Sequence, residues 1–423
     1  MIIPSIDLMD GQSVQLVGGK AESRSQEREY GDPVPLLRKF SIAGEVAVID
    51  LDRALGKGSN EDVIRRLVKQ APCRVGGGIR SLEAAVAWLD AGAAKIILGT
   101  AAKPEILREL PAGRVIAALD AFNNDVVVEG WTKSTGVTIM DRLRELREDV
   151  GGFLVTFVER EGRLGGTNME LAREIVAAAG KARVTFAGGI TTAEEIAELD
   201  KLGADSQVGM AIYTGRLDFG DAISAPLVSD RPDGLFPTIV ADESGVVLGM
   251  AYSSRESIRA AVARQLGIYQ SRKRGLWVKG ETSGATQELF GIALDCDRDA
   301  LRFIVRQNGS GYCHLDQFTC FGDMKGLARL QQTTQERREN APSGSYTKRL
   351  FDDAALLRSK LVEEAGELAD AATAEDVAWE AADLLYFAFV AMAKAGVSIA
   401  DVERQLDLRA LKLTRRPGNA KAP

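Results

Sequence analysis

The sequence is almost without histidine: a single one, His314, in 423 residues. Any imidazole chemistry must pass through that position. Cysteine is scarce as well. There are four, and three of them fall between 296 and 320. In a reducing compartment such a cluster more often binds metal than forms disulfides. No apolar run approaches the roughly 20 residues needed to cross a bilayer. The N-terminal stretch "MIIPSID" lacks the basic start and long apolar core of a signal peptide, so a cytoplasmic address is expected, with no membrane partner. Positive charge is in deficit, 53 Lys and Arg against 60 Asp and Glu, for a net charge of −7. This argues against wholesale nucleic-acid binding. An anionic small substrate would need local basic pockets working against that field.

What is present is ordinary for a globular protein, with 45% apolar and 27% charged residues. The length calls for two to four domains. Residues 1 to about 224 alternate strand and helix. Eight short β-rich runs ("IIPSID", "EVAVID", "PCRVGG", "KIILG", "RVIAALD", "FLVTF", "ARVTFAGG", "DSQVG") are separated mostly by amphipathic stretches. Eight β/α units in that length predict a closed (β/α)8 TIM barrel. The segment also repeats itself. "GGIRSLEAAVAWLDAGAAKIILGTA" begins at Gly77 and "GGITTAEEIAELDKLGADSQVGMA" at Gly188, as two half-barrels would require. Strand C-termini form the active face of such a barrel, which places Asp7, Asp50, Asp120, Thr156 and the glycines of both halves there.

"APLVSDRPDG" (225–234) reads as a linker. Residues 235–323 then read as an α+β domain with mainly antiparallel strands and one helix over "SRESIRAAVARQLG". Residues 325–415 form a third domain, almost wholly helical from about 347, which suggests a bundle. The tail "TRRPGNAKAP" is expected to be disordered.

Three sets of residues carry chemistry. In the barrel, Asp7 and Asp120 end two strands 113 residues apart and suit general acid and base work across a substrate. Gly77, Gly78, Gly99, Thr100, Gly188, Gly189 and Gly209 recur in both halves. Backbone N–H groups at glycine turns hold phosphate well, so a substrate with a phosphate at each end is implied. The plainer alternative is that these glycines only make βα turns. In the middle domain, Cys296, Cys313 and Cys320 supply three thiolates, and three thiolates with one open position describe a catalytic zinc site. His314 beside Cys313 would move protons for a water that the metal acidifies toward neutrality. Asp295, Asp297 and Asp299 are hard oxygen ligands for magnesium. Strand alternation would point them one way and Cys296 the other, so a bulge or a subunit interface would have to bring the ligands together. The alternative is a structural zinc knuckle with a solvated acidic turn. In the helical domain, Glu364 with Glu367 and Glu380 with Asp383 are each spaced i, i+3 and share a helix face. Two such helices facing each other make a carboxylate cage for magnesium, or else a solvated acidic face.

Resemblances sharpen these readings. "SRKRGLWVKGETSG", "LDCDRDALRF" and "GSGYCHLDQFTCFG" resemble phosphoribosyl-AMP cyclohydrolase of histidine biosynthesis. That implies zinc on the three cysteines, magnesium on the three aspartates, His314 near the reacting ring, and an active site shared by two subunits of a homodimer. Arg272, Arg274 and Lys279 would then neighbour a phosphate, unless they form a merely solvated basic loop. "GSYTKRLFDD", "KLVEEAGELADA" and "EAADLLYF" resemble phosphoribosyl-ATP pyrophosphohydrolase of the MazG-like helical type, which implies magnesium-assisted release of pyrophosphate. Lys360 and Glu363 fall in that motif, and Phe387 stands where the family often has histidine. The last two domains together resemble the corresponding part of the fungal multifunctional histidine-biosynthesis protein. "IPSIDLMDGQSVQLVGG", "VIDLDRALGKGSN", "VGGGIRS", "ILGTAA", "EGWTKSTG" and "REGRLGGTN" resemble the half-barrel family of histidine biosynthesis, and within it the ProFAR isomerase. The implied reaction is an Amadori rearrangement with Asp7 as base, Asp120 as acid and Thr156 assisting. Four places depart from that family: Glu161, Arg163, Phe122 and the loop "GGKAESRSQ". They leave a second expectation beside the trifunctional one: a bifunctional hydrolase whose barrel serves as scaffold or binding module. A third expectation, for the helical domain alone, is a pyrophosphatase acting on other nucleotide triphosphates.

Overall fold

The computed structural model describes residues 1–16, 27–122, 125–128, 133–158 and 166–415. Glu161, Arg163, the 18–26 loop and most of the C-terminal tail lie outside them. The chain divides into two compact units. The first holds residues 1–240, 250–309 and 408–423, and the second 241–249 and 310–407.

The first unit begins with β1 (Ile2–Met9), β2 (Gln12–Leu16), β3 (Glu27–Gly31), β4 (Val46–Asp50), β5 (Cys73–Gly76), β6 (Lys95–Leu98), β7 (Val115–Phe122), β8 (Asp125–Val128), β9 (Lys133–Thr138), β10 (Gly152–Phe157), β11 (Arg183–Ala187) and β12 (Asp205–Val208). Eight of these are the expected β-rich runs. They pair in parallel in the order β1-β4-β5-β6-β7-β10-β11-β12, and β12 returns to β1 through Ile2↔Ser206 and Pro4↔Val208. The barrel is closed. Most of these strands are short apolar runs because both faces are covered, one by the barrel interior and one by helices; β12, Asp205–Val208, is the exception, with three polar residues in four.

The other four strands were not foreseen. β2 and β3 extend β1 as an antiparallel hairpin, and β8 and β9 extend β7 in the same way. Each half-barrel therefore carries a hairpin on its first strand, which deepens the internal repeat. These segments alternate polar and apolar residues weakly, and their one apolar run, Val126–Val128 in β8, is only three residues long.

The barrel interior is packed by Ile97, Ile116, Leu154 and Ala187, with Ile49 and Ala118 against them. Helices start where the sequence supplies caps. Ser81 accepts from the Ala84 N–H, and Thr192 with Glu195 forms a full capping box.

Beyond the barrel lie β13 (Phe236–Asp242), β14 (Val247–Ser253), β15 (Ile268–Ser271), β16 (Gly275–Val278), β17 (Gln287–Leu294) and β18 (Leu301–Gln307). One sheet runs β14-β13-β18-β17, and β15–β16 is a separate hairpin. The expected helix is present as Arg255–Arg264. The 225–234 segment is irregular, but it is no loose linker. Arg255 donates to the carbonyls of Ser224 and Leu227, and the Val228 N–H donates to the Arg298 carbonyl.

In the second unit the helices are Gly326–Asn340, Tyr346–Asp352, Ala354–Asp370 and Ala374–Ala395, with most of Ile399–Ala410. Gly326–Asn340 begins well before residue 347, where helix was expected. Its apolar positions are few, and Thr334 is its one buried residue. Leu350, Leu357, Phe387 and Val390 form the core. No single helix among the described residues is long and apolar enough to cross a membrane.

Candidate functional site

The mouth of the barrel opens into a cavity of about 850 Å³. Asp7, Asp120, Thr156, Gly77, Gly78, Gly99, Thr100, Gly188, Gly189 and Gly209 all line it, so every barrel position singled out for chemistry meets in one space. Strand order explains the arrangement. Asp7 on β1 and Asp120 on β7 stand four strands apart in a ring of eight, on opposite walls. The same holds for the glycines after β5 and β11, and for those after β6 and β12. Thr156 sits beside Asp120 in register.

Asp7 is half-buried at the cavity wall, and desolvation there pushes its carboxyl up to about 7. Tyr213 is near, and its hydroxyl donates to the Ser5 carbonyl at 3.2 Å. Asp50, placed on the same face, instead binds the Arg53 N–H and the Asn60 side chain and backbone. Its role is to cap a helix.

The glycines divide into two kinds. Gly77 and Gly78 hold φ of +92° and +65°, and Gly188 and Gly189 hold +86° and +88°. A Cβ on Gly77 would meet the Asp50 carbonyl oxygen at 2.3 Å, so that position is glycine for the turn itself. A Cβ on Gly99 would meet nothing within 4 Å. The space beside it is the cavity. Gly209 begins the helix Met210–Tyr213 with no side-chain cap. At the start of the longer helix after Gly189, Thr192 accepts the Glu195 N–H and Glu195 accepts the Thr192 N–H.

The sequence reading missed other lining residues. Gln15 Nε2 and Gln207 Oε1 are buried without a hydrogen-bond partner, and both residues line the cavity. Arg80, Lys103 and Arg142 bring positive charge to it. Phe122, where the half-barrel family customarily has arginine, is 48% exposed.

The aspartates of "DCDRDA" do not lie on a strand. β17 ends at Leu294 and pairs with Leu301 of β18, so residues 295–300 form the hairpin loop between them. β17 does carry a bulge, between Leu289 and Gly291, but upstream of the loop. The carboxylates converge because the loop folds back. The Asp295 N–H donates to the Ala300 carbonyl, the Ala300 N–H donates to Asp295 Oδ1, and Arg298 takes a left-handed φ of +68°. Oxygens of Asp295, Asp297 and Asp299 lie within 4.8 Å of one another. Desolvation opposes ionisation of Asp295, but the amides of Ala300 and Arg298 and hydrogen bonds with Asp299 and Asp297 hold its carboxyl low. Asp299 is raised by its hydrogen bond with Asp295 and by the charge of Asp297. Three oxygens so close and so strained electrostatically fit a hard cation.

Cys296 is exposed on this loop in the first unit. Cys313 is buried and Cys320 exposed in the second unit, and none of the three forms a disulfide. Around Cys313 the chain turns tightly, with Asp316 in a left-handed conformation and its N–H on the Cys313 carbonyl. Cys320 Sγ would lie 3.3 Å from a Cβ at Gly249, beside the buried Tyr312. His314 is exposed on the same turn. Arg272 and Arg274 stand at the tip of the β15–β16 hairpin, over the rings of Tyr252 and Trp277. Lys279 is buried.

In the helical region, Glu364 and Glu367 on Ala354–Asp370 meet Glu380 on Ala374–Ala395, with oxygens within 4.8 Å. Asp383 stands outside that triad but close enough to act on it. Glu380 is raised by desolvation and by the charges of Glu367, Glu364 and Asp383. Lys360 binds Glu363 at 2.8 Å and Glu364 at 3.3 Å. Phe387 is a core residue packed against Tyr346 and Tyr386, so no base occupies that position.

A closed (β/α)8 barrel followed by an α+β region and a helical region, each with convergent acidic or polar side chains, defines a multidomain enzyme class. The chain belongs to the histidine biosynthesis protein family, whose model matches residues 1–218. Models for phosphoribosyl-AMP cyclohydrolase and phosphoribosyl-ATP pyrophosphohydrolase match residues 249–322 and 327–410. Both of these families work with divalent metals. A histidine biosynthesis trifunctional protein of Neurospora crassa is 40% identical over 350 residues, which are 81% of this chain and 38% of that protein. One from Komagataella pastoris is 58% identical over 201 residues, 48% of this chain and 24% of the other. An imidazole-4-carboxamide isomerase of Methanocaldococcus jannaschii is 34% identical over 234 residues, 53% of this chain and 98% of that enzyme. The chain spans about a quarter to a half of the multifunctional relatives it matches.

Proposed function

We propose that this chain carries out three consecutive steps of histidine biosynthesis. The helical domain hydrolyses phosphoribosyl-ATP to phosphoribosyl-AMP and pyrophosphate. The α+β domain opens the adenine ring to give ProFAR, and the barrel isomerises ProFAR to its ketose. The observation that carries this reading is the presence of all three family matches on one chain, each over a region with its own polar cluster. Each product is the substrate of the next step.

In the barrel, Asp7 is poised near neutrality and takes the proton from the sugar carbon. Asp120, on the opposite wall, protonates the ring oxygen as the ring opens. Thr156 orients Asp120 and the substrate. The glycine turns on opposite walls, with Arg80, Lys103 and Arg142, hold the two terminal phosphates. In the α+β domain, we assign zinc to Cys296, Cys313 and Cys320 on thiolate chemistry and the family match. Zinc there would acidify a water toward neutral pH. His314 moves the proton, and Arg272, Arg274 and Lys279 hold phosphate. Asp295, Asp297 and Asp299 hold magnesium. Glu364, Glu367, Glu380 and Asp383 hold the magnesium that would neutralise the triphosphate. Lys360 neutralises the buried Glu364 in its absence. The working form is a homodimer.

Phe122, exposed where the half-barrel family customarily has arginine, favours a second reading in which the barrel binds but does not turn over. A time course on phosphoribosyl-ATP with Mg²⁺ and Zn²⁺, every product identified by mass, separates the two. The first reading expects pyrophosphate, phosphoribosyl-AMP, ProFAR and ketose in turn, with Asp120→Asn stopping at ProFAR. Wild-type protein that stops at ProFAR leaves the barrel a scaffold.

A further inference from the structure

Arginine is a poor choice for a left-handed backbone position, where glycine or asparagine strains less. Arg298 holds φ +68° at the centre of the "DCDRDA" loop all the same. Its side chain accounts for the choice. Nε and Nη2 donate to the two carboxylate oxygens of Asp200 at 2.9 and 3.1 Å, and Nη1 donates to the Asp295 carbonyl at 2.6 Å. Its own carbonyl accepts from the Val228 N–H at 2.8 Å. Asp200 is the penultimate residue of the barrel helix Ala193–Lys201 and is nearly buried, with 9% of its side chain exposed. It also takes the Met1 ammonium at 2.9 Å. The two-pronged pairing of a guanidinium with a carboxylate fixes direction as well as distance.

We propose that Asp200 of the barrel is a positioning residue for the three-aspartate loop of the cyclohydrolase domain. Acting through Arg298, it holds Asp295, Asp297 and Asp299 in the convergent geometry that a divalent cation needs. The barrel thereby gains a task in the ring-opening step that is independent of its own turnover. Three aspartates on a six-residue loop repel one another and would splay without an outside anchor. Asp200 lies 98 residues away in sequence and belongs to a different domain. It makes no contact with the cation; it orients the loop that does.

This inference rests on reading the loop as a cation site, and the test separates the two. The full chain carrying Glu364→Gln, Glu367→Gln and Glu380→Gln serves as background, so that the aspartate loop is the remaining carboxylate triad among the described residues. Mn²⁺ is titrated and free Mn²⁺ is read by electron paramagnetic resonance. Adding Asp200→Asn is expected to raise the Mn²⁺ dissociation constant about tenfold or more, the usual scale for outer partners of metal ligands. Asp200→Glu keeps both acceptor oxygens and restores most of the affinity. Arg298→Lys gives an intermediate value without loss of fold by circular dichroism. Unchanged Mn²⁺ affinity in a folded Asp200→Asn or Arg298→Lys protein overturns the positioning role. If adding Asp295→Asn, Asp297→Asn and Asp299→Asn to the background leaves Mn²⁺ binding untouched, the cation assignment itself fails, and the inference with it.

Discussion

Asp7 meets two demands that conflict. A base must be ionised, yet its place in the barrel mouth favours the neutral acid, which is why its carboxyl titrates near 7. The folded barrel therefore keeps a proton that the unfolded chain gives up near pH 4. Stability from this site falls as pH rises between about 4 and 7 and stays lower above that. Asp7→Asn is accordingly expected to stabilise the barrel at about pH 8 by roughly 2 to 4 kcal/mol, and by almost nothing near pH 3.5. Urea unfolding at the two pH values checks this. The same substitution should abolish ketose formation, and the wild-type isomerase rate should climb through pH 7. Asp7 and Asp120 were legible as a pair from their matched places in two strands, although β1 runs on to Met9 and β7 to Phe122. Asp50 looked equivalent and is not, because its neighbours Arg53 and Asn60 consume its oxygens. Gln15 and Gln207 went unseen because an amide in a strand carries no signature until its partners are known.

At the scale of elements, the glycine turns separate backbone need from ligand need. Gly77→Ala drives a methyl group into the Asp50 backbone at a left-handed φ, and should cost about 2 kcal/mol or more of barrel stability. Gly99→Ala points its methyl into open cavity. It should leave the unfolding midpoint within about 0.5 kcal/mol of wild type while weakening ProFAR binding, as calorimetry would show. Strands with both faces covered tend to be continuous apolar runs, and most of the barrel strands could be read from that property; β12, with Asp205, Ser206 and Gln207, was read from its place in the half-barrel repeat. The hairpins on β1 and β7 could not, since their residues face partly into solvent. The helix Gly326–Asn340 has too few apolar positions to declare itself. The "DCDRDA" stretch looked like strand because it follows one, but β17 stops at Leu294, and the loop that turns back through the left-handed Arg298 folds the carboxylates together.

For the whole molecule, two metals of different chemistry predict separable losses. A zinc-selective chelator should stop ring opening while pyrophosphate release continues, so that phosphoribosyl-AMP accumulates. Removing magnesium should arrest the first step, and re-adding it alone should restore that step. Product analysis by mass distinguishes these outcomes; loss of both activities on removing zinc alone would contradict separate sites. The fusion also has structural content within the first unit. Residues 250–309 belong with the barrel, tied to it by Arg255, Arg259 and Arg298 on Ser224, Asp221 and Asp200. A connector that reads as flexible is in fact pinned at Leu227 and Val228.

The sequence alone determined the order of architectures, the eight barrel strands, the half-barrel repeat and the residue types able to carry the chemistry. These follow from local periodicity and spacing, which a chain carries in one dimension. Only the tertiary structure decided which polar groups keep free valences. Asp7 gains its high carboxyl value and Gln15 its unmet donor from burial, and Asp50 is used up by its own helix. Asp200 meets Arg298 across 98 residues. Burial and long-range pairing depend on what arrives from elsewhere in the chain, so no local stretch can announce them.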